Sequence, residues 1–217
     1  MGEILVTMVG GMLLALLFNR MTRSFGLMRA FVFVPKYVAM SSAAVVFLWI
    51  LNTDSGVLNY LLQCIGLPAV DWLNQQSTAL PSVLMLTGWR VIGYGMMIYL
   101  SAMMGISQEY YEAASLDGAN GFQKFFRITL PLLSPTTLFL LVTTFLSSMK
   151  VFQSVDILTS GGPARSTEVF VYLIYRYAMV DFRMDRAATA AVMFFLILLV
   201  ITILTMKVSD RSVTYDS

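Results

Sequence analysis

The chain has 217 residues, of which 58% are hydrophobic and only 12% are charged, and its net charge is +2. Soluble domains carry about 25% charged residues, so this chain lacks the polar groups needed to cover a surface that faces water. Its mean hydropathy of +0.77 therefore indicates that most of it is surrounded by lipid. The small net charge gives no indication of nucleic-acid binding.

Several kinds of chemistry are disfavoured by the residues that the sequence lacks. It contains no histidine, which is the commonest proton shuttle and metal ligand. Cys64 is the single cysteine, so an intrachain disulfide is impossible. No G-x-x-x-x-G-K-[ST] segment is present for binding ATP. We therefore predict a membrane protein that is not an enzyme and uses no cofactor or metal ion.

Five apolar stretches approach or exceed the ~20 residues that a membrane-spanning helix needs. They are residues 4–18, 30–51, 80–104, 135–158 and 187–206. The first stretch is short, and a signal peptide is the competing interpretation. A signal peptide begins with positive charges, whereas the only early charge here is Glu3. The sequence thus predicts an all-α integral membrane protein with five spans.

The orientation of these spans follows from lysine and arginine, which concentrate in cytoplasmic loops. The loop after the first span contains Arg20, Arg23 and Arg29, whereas residues 52–79 contain neither lysine nor arginine. Basic residues between 150 and 186 disagree with the other loops and are outweighed by them. The C-terminus is therefore predicted to be cytoplasmic. Five spans then place Met1 outside, so we expect a sixth, upstream span that is missing from this sequence.

Residues 107–134 form a polar island between the third and fourth predicted spans. Ser107 can cap a first short helix, and Gly118 is placed to end that helix in a left-handed conformation. Asn120 and Gln123 match a capping box at the start of a second short helix. Each helix has an apolar side and a charged side. From this pattern alone, a simple interfacial linker is as well supported as a docking element.

The island also contains a signature of residues at fixed spacing, with Asp117 directly before its glycine. The signature consists of Glu112, Ala113, Ala114, Gly118, Ile128, Leu130 and Pro131. It resembles that of the membrane subunits of ATP-binding-cassette importers. This resemblance implies that the island docks into a separate ATPase subunit, where Glu112 offers its carboxylate and Gly118 supplies a tight turn.

Other segments are similar to the carbohydrate-uptake permeases of that family, the maltose and glycerol-3-phosphate type. One is the run 158–168 around Gly161-Gly162-Pro163, and the others are residues 33–35, 49–52, 56–60, 172–175 and 187–190. The resemblance covers essentially the whole chain. It implies that residues 1–217 form a single transmembrane domain of the type I importer fold, whose members have six core spans.

The resemblance further implies a permease subunit of the bacterial inner membrane that imports a sugar, or a related polyol or oligosaccharide. Its partners would be a second, similar permease, two cytoplasmic ATPase subunits and an external sugar-binding protein. A secondary transporter driven by an ion gradient is the alternative function. That alternative requires ion-coordinating acids at mid-depth, whereas the acidic residues here cluster in loops.

Ionisable residues inside spans are costly, and they usually face a cavity or pair with one another. Arg90 lies about 15 Å along its span, near the bilayer centre. A guanidinium beside aromatic faces suits a sugar ring or an anionic group, but a salt bridge or a contact with helix-end carbonyls is an equal alternative. The predicted substrate-pathway residues are Trp89, Arg90, Tyr94, Ser147, Lys150, Gln153 and Asp156.

Overall fold

The computed structural model describes residues 2–19 and 26–212, and the described chain folds into α-helices without strands. In chain order they are α1 (Gly2–Asn19), α2 (Gly26–Tyr37), α3 (Met40–Ile50), α4 (Val57–Cys64), α5 (Gln76–Met104), α6 (Gln108–Leu116), α7 (Gly121–Leu132), α8 (Ser134–Met149), α9 (Gln153–Thr159), α10 (Phe170–Val180) and α11 (Met184–Ser212). Helices α1, α7 and α10 each contain one wider, π-helical turn.

Three of these helices are long and apolar enough to cross a membrane, and the number rises to five if two bent helix pairs each form one span. The long helices are α1, α5 and residues Met184–Thr205 of α11. They coincide with the first, third and fifth predicted spans. The prediction of an all-α protein with several spans is confirmed.

The second and fourth predicted spans are each interrupted rather than continuous helices. Within the second, α2 and α3 meet at 102°, whereas the bend of 62° between α7 and α8 lies just before the fourth. Pro35 lies in the tight turn that ends α2, where its ring removes one backbone donor and restricts the preceding residue. Helix α8 ends at Met149 rather than at residue 158, and α9 begins only at Gln153.

The contact between α1 and α5 is built from glycines. A Cβ atom added at Gly11 would lie 2.8 Å from the backbone carbonyl carbon of Gly95, and one added at Gly95 would collide with the carbonyl oxygen of Thr7. Lipid does not drive apolar helices together, so membrane helices associate through close packing of such small residues. Gly93 of α5 meets the backbone of α2 at Val32 in the same way.

Two apolar clusters pack against α5. The first joins α3, α5, α9 and α10 through buried side chains such as Leu51, Leu86 and Val155. The second joins α1, α5 and the start of α8 through Met96 and Leu140, among others. Helix α11 stands apart from both, since only 11% of its apolar window is buried within the subunit. Most of α11 is therefore available to lipid.

We expect Gly95→Ala to destabilise the subunit, because the added methyl group would push α1 away from α5. Overpacking of this kind typically costs about 1–3 kcal/mol. The measurement is the thermal unfolding midpoint of the purified protein in detergent. Gly105→Ala is the matched control, since its new Cβ meets nothing closer than 3.4 Å. Equal midpoints for the two variants would contradict the proposed importance of this contact.

Candidate functional site

A polar cavity lies where α1 and α5 meet two interruptions in the helices, one between α2 and α3 and the other between α8 and α9. Its larger part has a volume of about 550 Å³ and a narrower part measures about 170 Å³. Seven of the eleven residues that line the larger part are polar or charged: Glu3, Lys36, Thr87, Arg90, Ser147, Lys150 and Gln153. Tyr94, Thr143 and Thr144 line only the narrower part. Both helix interruptions therefore face one shared space.

Arg90 is the middle residue of α5, and it holds the interruption between α2 and α3. Its Nη2 donates to the carbonyl oxygens of Lys36 at 3.2 Å and of Val38 at 2.9 Å. Its Nη1 lies 3.4 Å from the sulfur of Met40. Carbonyl groups at a helix end have no intrahelical donor, and lipid supplies no water to replace one. The sequence left three roles open for Arg90: substrate contact, a salt bridge, or a contact with helix-end carbonyls. The structure contains the contact with the carbonyls.

Two ionisable residues of this cavity were missed by the sequence analysis. Glu3 is only 7% exposed, and its side chain lines both parts of the cavity. The ammonium group of Lys36 lies 4.8 Å from the centre of the Tyr94 ring, a distance typical of a cation–π contact. An acid or a lysine within an apolar stretch is expensive in lipid. That cost is the signal that could have identified both residues.

The other predicted pathway residues separate into two groups. Tyr94, Ser147, Lys150 and Gln153 line the polar cavity together with Arg90. Trp89 and Asp156 do not line it. The ring of Trp89 packs instead against Phe47 of α3, at 5.5 Å between centroids. Asp156 lies on α9 nearly one turn beyond Gln153. Adjacent positions on a helix point in different directions, which explains why Trp89 and Arg90 differ.

Helices α6 and α7 form a helical hairpin, residues 107–132, whose helix caps match those predicted for the island 107–134. Ser107 accepts a hydrogen bond from the backbone of Glu109, and Asn120 forms the capping box with Gln123. Gly118 has a φ of +76°, the left-handed conformation predicted for it. Its N–H donates to the carbonyl oxygen of Ser115 at 3.1 Å, and the N–H of Ala119 donates to that of Ala114 at 2.9 Å. Both acceptors lie in the last turn of α6. The capping pattern predicts this second helix over residues 121–128, and the helix extends to Leu132.

Side-chain contacts hold the two helices of the hairpin together. Tyr111 Oη lies 2.9 Å from Thr129 Oγ1, and Lys124 Nζ donates to Ser115 Oγ at 2.5 Å. The signature residues Glu112, Ala113, Gly118 and Pro131 are exposed, as is the neighbouring Asp117, while Ala114, Ile128 and Leu130 are half-buried. Large apolar side chains are exposed as well: Leu116 by 90%, Phe122 by 73% and Tyr110 by 57%. The hairpin thus presents an apolar and acidic surface that the rest of the described chain does not cover.

The sequence profile of a protein family described as "Binding-protein-dependent transport system inner membrane component" matches residues 7–215. The chain is 35% identical to "Probable ABC transporter permease protein YurN" of Bacillus subtilis (strain 168), over 94% of this chain and 72% of that protein. It is 32% identical to "sn-glycerol-3-phosphate transport system permease protein UgpA" of Agrobacterium fabrum, over 97% of this chain and 72% of that protein.

Two solved structures have a similar fold. One is the crystal structure of a bacterial ABC transporter involved in the import of the acidic polysaccharide alginate, with a TM-score of 0.85, 27% identity, and 99% of this chain and 78% of that chain covered. The other is the crystal structure of a bacterial alginate ABC transporter in complex with alginate pentasaccharide-bound periplasmic protein. Its TM-score is 0.84 at 29% identity, and the match covers 93% of this chain and 71% of that chain.

We expect Arg90→Ala to lower the thermal unfolding midpoint, because it leaves the carbonyl groups of Lys36 and Val38 without their donor. An unpaired buried polar group costs about 1–3 kcal/mol. Arg90→Lys should be intermediate, since a lysine keeps the charge but loses the planar fork. The exposed Arg127 provides the control variant Arg127→Ala. Wild-type stability of Arg90→Ala combined with loss of transport would instead support direct contact with substrate.

Proposed function

Because the chain belongs to the inner membrane component family of binding-protein-dependent transport systems, we propose that it is the permease subunit of an ATP-binding-cassette importer for a sugar or a related polyol or oligosaccharide. The polar cavity is the observation that carries this proposal. It places hydroxyl, amide and cationic groups beside the ring of Tyr94, a combination that suits a polyhydroxylated solute. The named substrates of UgpA and of the alginate importer belong to the same broad class.

Energy for transport comes, in this proposal, from separate ATPase subunits that bind the helical hairpin. The sequence contains no P-loop of its own. The exposed Leu116 and Phe122 would enter an apolar groove of the ATPase, and Glu112 would meet a basic group or a backbone donor there. Burial of two such apolar side chains contributes about 1.5–3 kcal/mol each. The same surface would be unfavourable if it remained in water.

Chain connectivity supports transmission from the hairpin to the cavity. Helix α5 leads directly into α6, and α7 leads into α8. Both α5 and α8 also contribute cavity residues, Arg90 and Ser147 among them. Leu133, which joins the hairpin to α8, is 1% exposed and packs in the second apolar cluster. ATP-driven movement of the hairpin would therefore shift the two helices that bound the cavity and change the side from which it is open.

Further partners complete the proposed transporter. An external binding protein would deliver the solute, an arrangement supported by the alginate transporter that is bound to its periplasmic protein. A second, similar permease would form the other wall of the passage, and two ATPases would lie beneath the pair. The solute would enter between the permeases once the outward side opens, and ATP hydrolysis would reset the transporter to its inward-facing state.

The central test is whether an ATPase co-purifies with the tagged subunit in mild detergent, and whether Gly118 is needed for this. We expect Gly118→Ala to reduce ATPase recovery and solute uptake at unchanged abundance in the membrane. A side chain at φ +76° strains the turn by about 1–2 kcal/mol, while the new Cβ meets no atom within 4 Å.

Gly121→Ala is the matched control, since its Cβ also meets nothing within 4 Å but the residue is helical. Both recovery and uptake should remain normal in this variant. If no ATPase accompanies the wild-type subunit and uptake follows an ion gradient, the proposal is overturned in favour of a secondary transporter.

The proposed orientation is testable with the single native cysteine. Cys64 is exposed at the end of α4, in the region predicted to face outward because it lacks lysine and arginine. We expect a membrane-impermeant maleimide to label Cys64 in intact spheroplasts. In a Cys64→Ser background, Lys207→Cys in the exposed end of α11 should be labelled only after permeabilisation. The reverse pattern would show that the topology is inverted.

A further inference from the structure

The ionisable side chains of the polar cavity do not balance one another. Three are cationic (Lys36, Arg90 and Lys150) and one is acidic (Glu3). The ion pairs within the described residues instead join Arg176 to Glu168 and Asp181, and Arg183 to Asp185, around α10 and the start of α11. No ion pair within 4.0 Å joins these four cavity residues to an opposite charge in the described part of the chain. Two positive charges therefore remain without a compensating acid.

None of the observed contacts of these cations removes its charge. Arg90 donates to carbonyl groups, which are dipoles with no net charge. Lys36 lies over the face of Tyr94, whose ring is neutral. Lys150 is exposed at the end of α8, with its side chain lining the cavity. In a cleft with low-dielectric walls, uncompensated charges of one sign concentrate the electrostatic potential and attract ions of the opposite sign.

A neutral solute would not explain this arrangement. Its hydroxyl groups could be satisfied by Ser147, Gln153 and Glu3, without any cation. A lysine without a charged partner, such as the half-buried Lys36, is costly near the centre of a membrane, and such residues usually mark the path of a substrate or ion. An anionic group in the cavity would compensate the positive charge and offset that cost.

On the basis of the proposed function, we propose that the cavity accepts an anionic sugar or polyol, with its carboxylate or phosphate between Lys36 and Lys150. Lys36 lies in the last turn of α2, next to its junction with α3, and Lys150 lies in the interruption between α8 and α9. One bound anion would therefore join the end of α2 to the segment between α8 and α9. Arg90 is a positioning residue, because its bonds to the backbone at Lys36 hold that segment beside the cavity. Glu3 opposes the anion and limits its affinity, which favours release.

The test measures binding of two matched probe pairs to the purified complex, or to the subunit alone if no ATPase accompanies it, in nanodiscs by saturation-transfer NMR titration. The pairs are sn-glycerol 3-phosphate with glycerol, and D-galacturonate with D-galactose, so that the two arms separate phosphate from carboxylate recognition. We expect the charged member of at least one pair to bind about tenfold more tightly than the neutral member, or better. This preference should decrease as salt is added.

Removing a cation and removing the acid should change the affinity for the anionic probe in opposite directions. Loss of structure alone would weaken binding in every variant. Lys36→Gln and Lys150→Gln should each weaken binding of the anionic probe about tenfold and leave the neutral probe unchanged. Glu3→Gln should strengthen binding of the anionic probe, and Lys36→Arg should preserve it. Lys207→Gln, far along α11 from the cavity, is the control. Intact complex on size-exclusion chromatography shows that each variant is folded.

Several results would overturn the inference. They are equal binding of charged and neutral probes in both pairs, an unchanged preference in both lysine variants, and weaker anion binding by Glu3→Gln. Because the probes bind the subunit directly, each of these outcomes is independent of ATPase recovery. A complex that contains its ATPase yet shows no anion preference contradicts only this inference. Anion preference in a subunit that never associates with an ATPase contradicts the proposed function instead.

Discussion

The need to satisfy backbone carbonyl groups away from water is the constraint on which the rest of this subunit depends. Helices α2 and α3 meet at 102°, and carbonyl groups at their junction have no intrahelical donor. Arg90, at the middle of α5, donates to two of them. These bonds fix the junction against α5 and place Lys36 over Tyr94. The junction between α2 and α3 therefore forms one wall of the polar cavity.

Close glycine contacts supply the rigidity that this arrangement needs. Gly11 and Gly95 bring α1 against α5, and Gly93 admits the backbone of α2 at the same place. Helix α1 thus brings Glu3 to the cavity, and α2 brings Lys36. Protein interiors packed this closely respond to force as connected units. We therefore expect α1, α2 and α5 to move together when the hairpin is displaced.

The hairpin and the polar cavity, to which we assign coupling and solute recognition, lie at separate ends of the same helices. The hairpin adjoins the first residue of α8, Ser134, whereas Ser147 and Lys150 line the cavity. At 1.5 Å per helical residue, these sites are roughly 20–24 Å apart along α8. Substitutions this far apart usually have additive effects on stability. We therefore expect substitutions in the cavity and in the hairpin to change the stability of the subunit independently.

Local patterns in the sequence determined the all-α architecture, the long apolar helices and the caps at Ser107, Gly118 and Asn120, because each depends on residues within a few positions. Only the tertiary structure decided which polar residues share a cavity. Arg90 and the carbonyl oxygen of Lys36 are 54 positions apart, and Trp89 turns away although it adjoins Arg90. The contacts of Lys36 and Glu3 were decided in the same way, although their charges within or beside an apolar stretch are visible in the sequence. A side chain's surroundings depend on how separate helices pack and where they break, which periodicity within one helix does not encode.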